Sequence, residues 1–206
     1  AVAGIPELRE AIQNKLLREN GLQYEKNEIL VSNGAKHSLF NVFQALIDSG
    51  DEVIIPSPYW VTYPELVTYS GGKPVFVETS QQSNFKITPK QLQQAITPKT
   101  KIFVLNTPSN PTGMVYTKEE LEGLAEVLKD TNVWVVSDEM YEKLTYGVKF
   151  TSAAAINQDM CERTITINGL SKSVAMTGIR ILSNLWIISK VNALQILTLS
   201  HKRLLW

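Results

Sequence analysis

Short apolar runs alternate with amphipathic segments between residues 29 and 180. The runs rich in Val, Ile and Phe predict strands at Glu28–Val31, Val53–Ile55, Pro74–Val77, Ile102–Leu105, Val133–Val136 and Thr164–Ile167. Apolar residues at helical spacing predict helices at Lys36–Ile47, Thr62–Tyr69, Pro89–Ala95 and Lys118–Lys129. Continuous apolar strands are typical of a sheet covered on both faces. The pattern therefore predicts an α/β fold, with a mainly parallel sheet and helices on both faces.

Local signals support these helix boundaries. Thr117-Lys118-Glu119-Glu120 has the form of a capping box, and Pro89 follows Thr88 at the first position of its helix. A further helix is predicted to begin at Pro6 and to end at Asn20-Gly21.

Composition excludes several classes of function. The chain has 206 residues, with 20 Lys and Arg against 20 Asp and Glu, so broad electrostatic capture of nucleic acid or of an acidic membrane is not expected. No apolar run approaches the roughly 20 residues of a membrane span. Cys161 is the single cysteine, which favours a reducing compartment, and we expect a cytoplasmic protein without a metal site.

Candidate chemistry follows the strands. In open parallel sheets, ligands bind beyond the carboxyl ends of the strands. Five segments occupy such positions, namely Asn33–Lys36, Pro56–Trp60, Asn106–Gly113, Ser137–Tyr141 and Gly169–Lys172, the last continuing to Arg180.

The first two segments could hold a flat anionic ligand. Ala35 and Lys36 open a helix, where free backbone N–H groups attract a phosphate, and Trp60 offers a flat apolar face for stacking. Each has a plainer interpretation, since the first segment could be a simple turn and Trp60 a core residue.

The other three segments carry amide, acid and amine groups. Two prolines and a glycine restrict the backbone around the Asn110 amide. Asp138 ends an apolar strand, where a buried carboxylate requires a cation, and Tyr141 follows three residues later. Lys172 could act as a nucleophile toward a carbonyl, and Arg180 could hold a phosphate, although a surface lysine is equally plausible. Together the five segments suit pyridoxal phosphate.

Six short sequence motifs occur in the same order as in a known family. The chain resembles class I pyridoxal-phosphate aminotransferases, and within them the bacterial aspartate aminotransferase branch, from residue 1 to about 181. The shared phrases are Gly4–Arg9, Asn33–Lys36, Ser57–Trp60, Asn110–Gly113, Ser137–Glu139 with Tyr141, and Gly169–Lys172 through Met176–Gly178 to Arg180.

The resemblance implies a role for each site residue. Lys172 would form the internal aldimine and then move a proton between substrate and cofactor, and Asp138 would pair with the pyridinium nitrogen. Tyr141 and Asn110 would bond the phenolic oxygen, Trp60 would stack on the ring, and Asn110 and Trp60 would also touch substrate. The phosphate would be held by Ala35, Lys36, Ser171 and Arg180.

The resemblance also implies the reaction and its partners. Amino transfer would run between an L-amino acid and a 2-oxo acid such as 2-oxoglutarate, in a homodimer. Aspartate is favoured as the amino acid, and aromatic, prephenate and alanine transfer remain open. Two alternatives remain open: an inactive cofactor-binding or interaction remnant, and another enzyme of the same fold that performs β-elimination or decarboxylation with the same cofactor.

Residues beyond about 181 depart from the family pattern. We expect residues 1–181 to form a partial cofactor-binding large domain and 182–206 an atypical tail with a helix at 187–195. Ile179 stands where the family usually has Trp, and the small substrate-closing domain has no counterpart. We therefore expect a fragment, in which the C-terminal part of the family is missing or its reading frame is disturbed after about residue 181. A buried C-terminal helix is the simpler alternative.

Overall fold

A seven-stranded sheet is the centre of the fold. The computed structural model describes residues 3–177 and 184–188. The strands lie in the spatial order β1-β7-β6-β5-β4-β2-β3. Their bounds are Ile29–Ser32 (β1), Glu52–Ser57 (β2), Lys73–Glu78 (β3), Thr100–Asn106 (β4), Trp134–Asp138 (β5), Thr164–Asn168 (β6) and Asn184–Ile188 (β7).

Four neighbouring strand pairs are parallel and two are antiparallel. The pairs β2–β3, β2–β4, β4–β5 and β5–β6 run parallel, which confirms the predicted mainly parallel sheet. Strand β7 runs antiparallel to both β1 and β6, with Ile187 opposite Ile29 and Thr166. The helix predicted over residues 187–195 is therefore wrong for residues 187 and 188, and residues 189–195 lie outside the described residues.

Seven α-helices connect or flank the strands. They are Pro6–Lys15 (α1), Ala35–Leu46 (α2), Thr62–Tyr69 (α3), Pro89–Ala95 (α4), Lys118–Leu128 (α5), Gln158–Arg163 (α6) and Leu170–Ser173 (α7), among the residues described. The capping box predicted at Thr117 is present and Thr88 forms a second one, because Thr88 Oγ1 and Thr117 Oγ1 each accept the backbone N–H three residues later. The short helices α6 and α7 were not predicted.

Apolar side chains cover both faces of the sheet, as the continuous strand runs predicted. On one face α2 and α3 pack over the sheet through Leu39, Phe43 and Tyr63. On the other face α4, α5 and α6 pack through Leu92, Leu124 and Met160. Burial of these two layers holds the parallel strands in register, so their carboxyl ends meet along one edge.

No helix within residues 3–177 is long and apolar enough to cross a membrane.

Candidate active site

A cavity of about 370 Å³ opens at the carboxyl edge of the sheet. It is lined by eight of the nine residues that the sequence nominated: Ala35, Lys36, Trp60, Asn110, Asp138, Tyr141, Ser171 and Lys172. Arg180, the ninth, lies outside the described residues. Further lining residues are Asn33, Gly34, Tyr63, Asn106, Met140 and Thr177. The structure thus brings together segments that are up to about 140 residues apart in the chain.

Asp138 is a buried carboxylate at the end of β5. Its Oδ2 accepts the Tyr63 hydroxyl at 2.6 Å, and its Oδ1 accepts the Met140 N–H at 3.3 Å. Burial raises the pKa of Asp138, and these two hydrogen bonds partly oppose that rise. Within residues 3–177 no Lys or Arg forms an ion pair with it. The cation that the sequence predicted for this carboxylate is therefore one that a ligand can supply.

The backbone at Asp138 is fixed by the neighbouring strand. Its carbonyl oxygen accepts Asn106 Nδ2 at 2.9 Å and the Thr107 N–H at 3.1 Å. Asn106 Oδ1 in turn accepts the Asn110 N–H at 2.7 Å. One amide side chain therefore joins the end of β5 to the loop that carries Asn110.

Trp60 lies at the rim of the cavity and is half-buried. Its ring packs edge-on to Tyr63, with ring centroids 5.4 Å apart and planes at 85°. The Lys36 ammonium lies 5.3 Å from the Trp60 centroid. The indole thus connects a cation on α2 with the phenol that bonds Asp138.

The amino terminus of α2 faces the same cavity. Gly34 precedes the helix with φ of +93°, a conformation that favours glycine, and no side chain caps the helix. The first N–H groups of a helix have no partner within it, so Ala35 and Lys36 present donors to the cavity.

Tyr141 and Asn110 both line the cavity and are joined by a hydrogen bond. Burial raises the pKa of Tyr141 and the Asp138 carboxylate adds to the rise, while a hydrogen bond with Asn110 opposes it. The Glu142 N–H bonds the Glu139 carbonyl at 3.1 Å, closing the turn that places Tyr141 in the cavity.

Lys172 and Ser171 reach the cavity from the short helix α7 that follows β6. Lys172 is exposed, so its amine is accessible from the cavity. Within residues 3–177 no carboxylate pairs with Lys172, so a primary amine and a buried carboxylate line the same cavity.

Sequence reasoning missed Tyr63 and Asn106. Tyr63 lies three residues after Trp60 and donates its N–H to the Trp60 carbonyl at 3.1 Å, but Trp60 precedes the helix predicted at Thr62–Tyr69, so the predicted helix did not place both rings at one site. Asn106 is the last residue of β4, a position where polar side chains meet ligands, and only its fixed contact with Asp138 distinguishes it.

Comparison with known proteins defines the class. Residues 1–200 match the family model for aminotransferase class I and II. The chain belongs to this family.

Individual relatives agree with that assignment. The chain is 56% identical to an aspartate aminotransferase of Geobacillus stearothermophilus over 179 residues, which is 86% of this chain and 46% of the relative. The chain spans about half the length of the curated relatives it matches.

Solved structures share the fold. The aspartate aminotransferase of Rhizobium meliloti superposes with a TM-score of 0.91 at 42% identity, covering 98% of this chain and 50% of that one. The aspartate aminotransferase of Thermus thermophilus with maleate superposes with a TM-score of 0.88 at 45% identity. This match covers 98% of this chain and 50% of that one. These likenesses confirm the predicted family resemblance and the predicted fold class.

Proposed function

We propose that this protein transfers amino groups between an L-amino acid and a 2-oxo acid, using pyridoxal phosphate held in the cavity at the sheet edge. The observation that carries the proposal is that a lysine amine and a buried carboxylate without a cation line the same cavity. A lysine and an acid partner for the ring nitrogen are the two groups that this cofactor requires.

The residues present fit the cofactor. The cavity of about 370 Å³ falls in the range of about 300–1,000 Å³ typical of small-molecule sites. The buried Asp138 suits a protonated ring nitrogen, because a cation there offsets the cost of burying the carboxylate. The uncapped start of α2 suits the phosphate.

The remaining site residues would orient the ring. Asn110 and Tyr141, which line the cavity, would donate to the phenolic oxygen, and Trp60 would stack on the ring. Ser171 and Arg180 would complete the phosphate site together with the N–H groups of Ala35 and Lys36, which extends the role implied by the resemblance.

The cofactor, when bound, supplies an electron sink for the electron pair left when a substrate loses its α-proton. Lys172 Nζ would hold that proton and return it at a neighbouring carbon, since it is an accessible amine in the same cavity. Asp138 would keep the ring nitrogen protonated, and the low dielectric of its buried position strengthens that pairing.

Lys36 favours a dicarboxylic substrate. Its ammonium lies over the Trp60 face at the cavity wall, and within residues 3–177 no carboxylate pairs with it. A second carboxylate on the substrate would gain a charge-assisted hydrogen bond there. We therefore propose aspartate and 2-oxoglutarate, in keeping with the relative whose structure holds maleate, itself a dicarboxylate.

The test combines binding and turnover. We expect the protein to bind pyridoxal phosphate with a visible absorbance band, and borohydride followed by peptide mapping to locate the cofactor on Lys172. Lys172→Ala should lose the reducible adduct and amino transfer from aspartate, while Lys143→Ala, a surface lysine paired with Glu19, should retain both. A wild-type protein that binds no cofactor, or an adduct on another lysine, contradicts the proposal.

We also propose a homodimer, as the resemblance implies. Several large apolar side chains are exposed on the surface, including Val61 at 73% and Tyr69 at 68%. Such surface is typical of an interface. Sedimentation equilibrium should give twice the chain mass, and a monomer at all concentrations contradicts this proposal.

A further inference from the structure

Glu139 is a buried carboxyl that the proposed chemistry does not use. It follows Asp138 directly and is fully buried, but it does not line the cavity. Its Oε1 accepts three hydrogen bonds: from Ser137 Oγ at 2.9 Å, from Ser152 Oγ at 2.9 Å and from the Ala153 N–H at 3.1 Å. Such a concentration of donors on one oxygen indicates a site built to hold this side chain.

The partners of Glu139 belong to a rigid part of the fold. Ser152 is 2% exposed and Ala153 is fully buried in the apolar layer beneath α5. The Glu139 N–H also donates to the Ile167 carbonyl on β6 at 2.8 Å. The backbone of Glu139 is therefore bonded to β6, and its side chain is bonded to the Ser152–Ala153 segment.

These ties determine where the chain goes after Asp138. The next residue, Met140, directs its N–H at Asp138 Oδ1, and the turn closed by the Glu139 carbonyl places Tyr141 in the cavity. If the Glu139 side chain loses its anchor, Ser137 and Ser152 lose their acceptor, and the turn that orients the Asp138 carboxylate loses its support.

The second carboxylate oxygen of Glu139 indicates that the donors are held by the position of the accepting oxygen more than by the negative charge of the side chain. Oε2 is buried and has no hydrogen-bond partner within residues 3–177. All three donors would remain satisfied by the carbonyl oxygen of a glutamine, which differs only at the unpartnered atom.

We propose that Glu139 is a positioning residue for Asp138: it anchors the chain after β5 to the Ser152–Ala153 segment and so orients the carboxylate that meets the cofactor's ring nitrogen. This inference rests on the proposed function, because the ring nitrogen enters only with pyridoxal phosphate.

The test is a double-mutant cycle on the dissociation constant of pyridoxal phosphate, measured by absorbance titration. We expect Asp138→Asn to weaken binding about 100-fold and Glu139→Ala about 10-fold, as expected for a lost buried charge pair and for a lost hydrogen-bond anchor. Because Glu139 acts through Asp138, the double variant should bind like Asp138→Asn alone, within about twofold. Glu139→Gln should restore binding to within about threefold of wild type, since it keeps the accepting oxygen.

Matched variants separate positioning from loss of stability. Glu120→Ala removes another carboxylate, one that accepts from Thr117 N at 2.8 Å and Lys86 Nζ at 2.6 Å and lies away from the cavity, so its binding should stay at the wild-type value. Should Glu139→Ala fail to fold, Ser152→Ala takes its place in the cycle, with an expected weakening of about threefold.

Either of two results overturns the inference. One is a dissociation constant for Glu139→Ala, or for Ser152→Ala in its place, that equals the wild-type value. The other is a double variant whose loss of affinity is the product of the losses in the two single variants. Failure of the proposed function looks different, because wild-type protein would then bind no cofactor at all.

Discussion

At the residue scale, the Tyr63 hydroxyl is the one side-chain group that donates to the Asp138 carboxylate within residues 3–177. Burial raises this pKa, and the 2.6 Å hydrogen bond from Tyr63 opposes the rise by stabilising the carboxylate. The phenol itself is fully buried, and burial beside Asp138 holds its own pKa well above the usual range, so it remains a donor at every physiological pH.

Tyr63→Phe should therefore make cofactor binding sensitive to acid. Without the donor the pKa of Asp138 rises further, and the neutral acid, which cannot pair with a ring cation, persists to higher pH. We expect a loss of affinity of about 10-fold at pH 6 that shrinks at pH 8, measured by titration with pyridoxal phosphate. Tyr116→Phe, another buried phenol whose oxygen accepts the Ile87 N–H, is the control and should leave the pH profile unchanged.

Glu139 should couple folding stability to pH. Burial raises its pKa from 4.5 to about 7 in the folded chain. Between those values the folded state holds more protons than the unfolded state, so the free energy of unfolding falls as pH rises, by about 3 kcal/mol over the window. Urea unfolding at pH 5 and pH 8 should show this loss in wild type, relative to Glu139→Gln. Parallel profiles for the two proteins would show that Glu139 does not titrate in this range.

Site residues could be predicted from the sequence where a single segment beside a predicted strand contains the reactive side chain. Asp138, Tyr141 and Lys172 each follow a recognisable strand, and the structure places them in one cavity. Tyr63 and Glu139 could not be predicted in the same way, because their importance comes from contacts with residues 75 and 13 positions away. Such contacts follow from the packing of the strands and leave no local pattern.

At the element scale, α1 is tied to the turn that carries Tyr141. Glu142 is 6% exposed, and its carboxylate accepts from Lys15 Nζ and, at 2.9 Å, from Asn20 Nδ2. Lys15 Nζ also bonds Asn20 Oδ1 at 2.8 Å. The end of α1 and the residues just after it therefore contact the turn that carries Tyr141.

Lys15→Met should destabilise the fold, because it leaves the Glu142 carboxylate buried with one partner fewer. We expect a loss of about 2 kcal/mol in urea unfolding, less than for a fully buried pair because Lys15 is partly exposed. Adding Glu142→Gln to Lys15→Met should recover part of that loss by removing the unpaired charge. If the double variant is less stable than Lys15→Met, the explanation by unpaired charge is wrong.

Element prediction succeeded for most helices and strands between residues 29 and 168 and failed for strand β7. Helix Pro89–Ala95 matches its predicted bounds, where a capping box agrees with the apolar spacing, and Thr62–Tyr69 matches its bounds without a side-chain cap. Strand β7 was missed because five residues, three of them Leu or Ile, carry no periodicity that separates strand from helix. Its pairing with β1 and β6 decides its conformation.

At the scale of the whole molecule, β7 is the only connection between β1 and the rest of the sheet, within the strands described. It pairs with β1 on one side and with β6 on the other. A proline in β7 removes a backbone donor in the interior of a sheet, where proline is rarely tolerated.

Ile187→Pro should therefore destabilise the fold by at least about 2 kcal/mol more than Ile187→Ala, which removes side-chain atoms but keeps the ladder. The comparison of the two variants in urea unfolding isolates the backbone contribution. Equal losses would mean that the β7 ladder contributes little to stability.

The position of β7 also has a consequence for biosynthesis. Strand β1 leaves the ribosome about 150 residues before β7, which at about 5–20 residues per second is roughly 8–30 s. During that interval Ile29–Ser32 lacks the strand that joins it to the rest of the sheet, although β2 to β6 can already pair with one another. The nascent chain carries an open strand edge for this time, and that is the period in which chaperones would have most to protect.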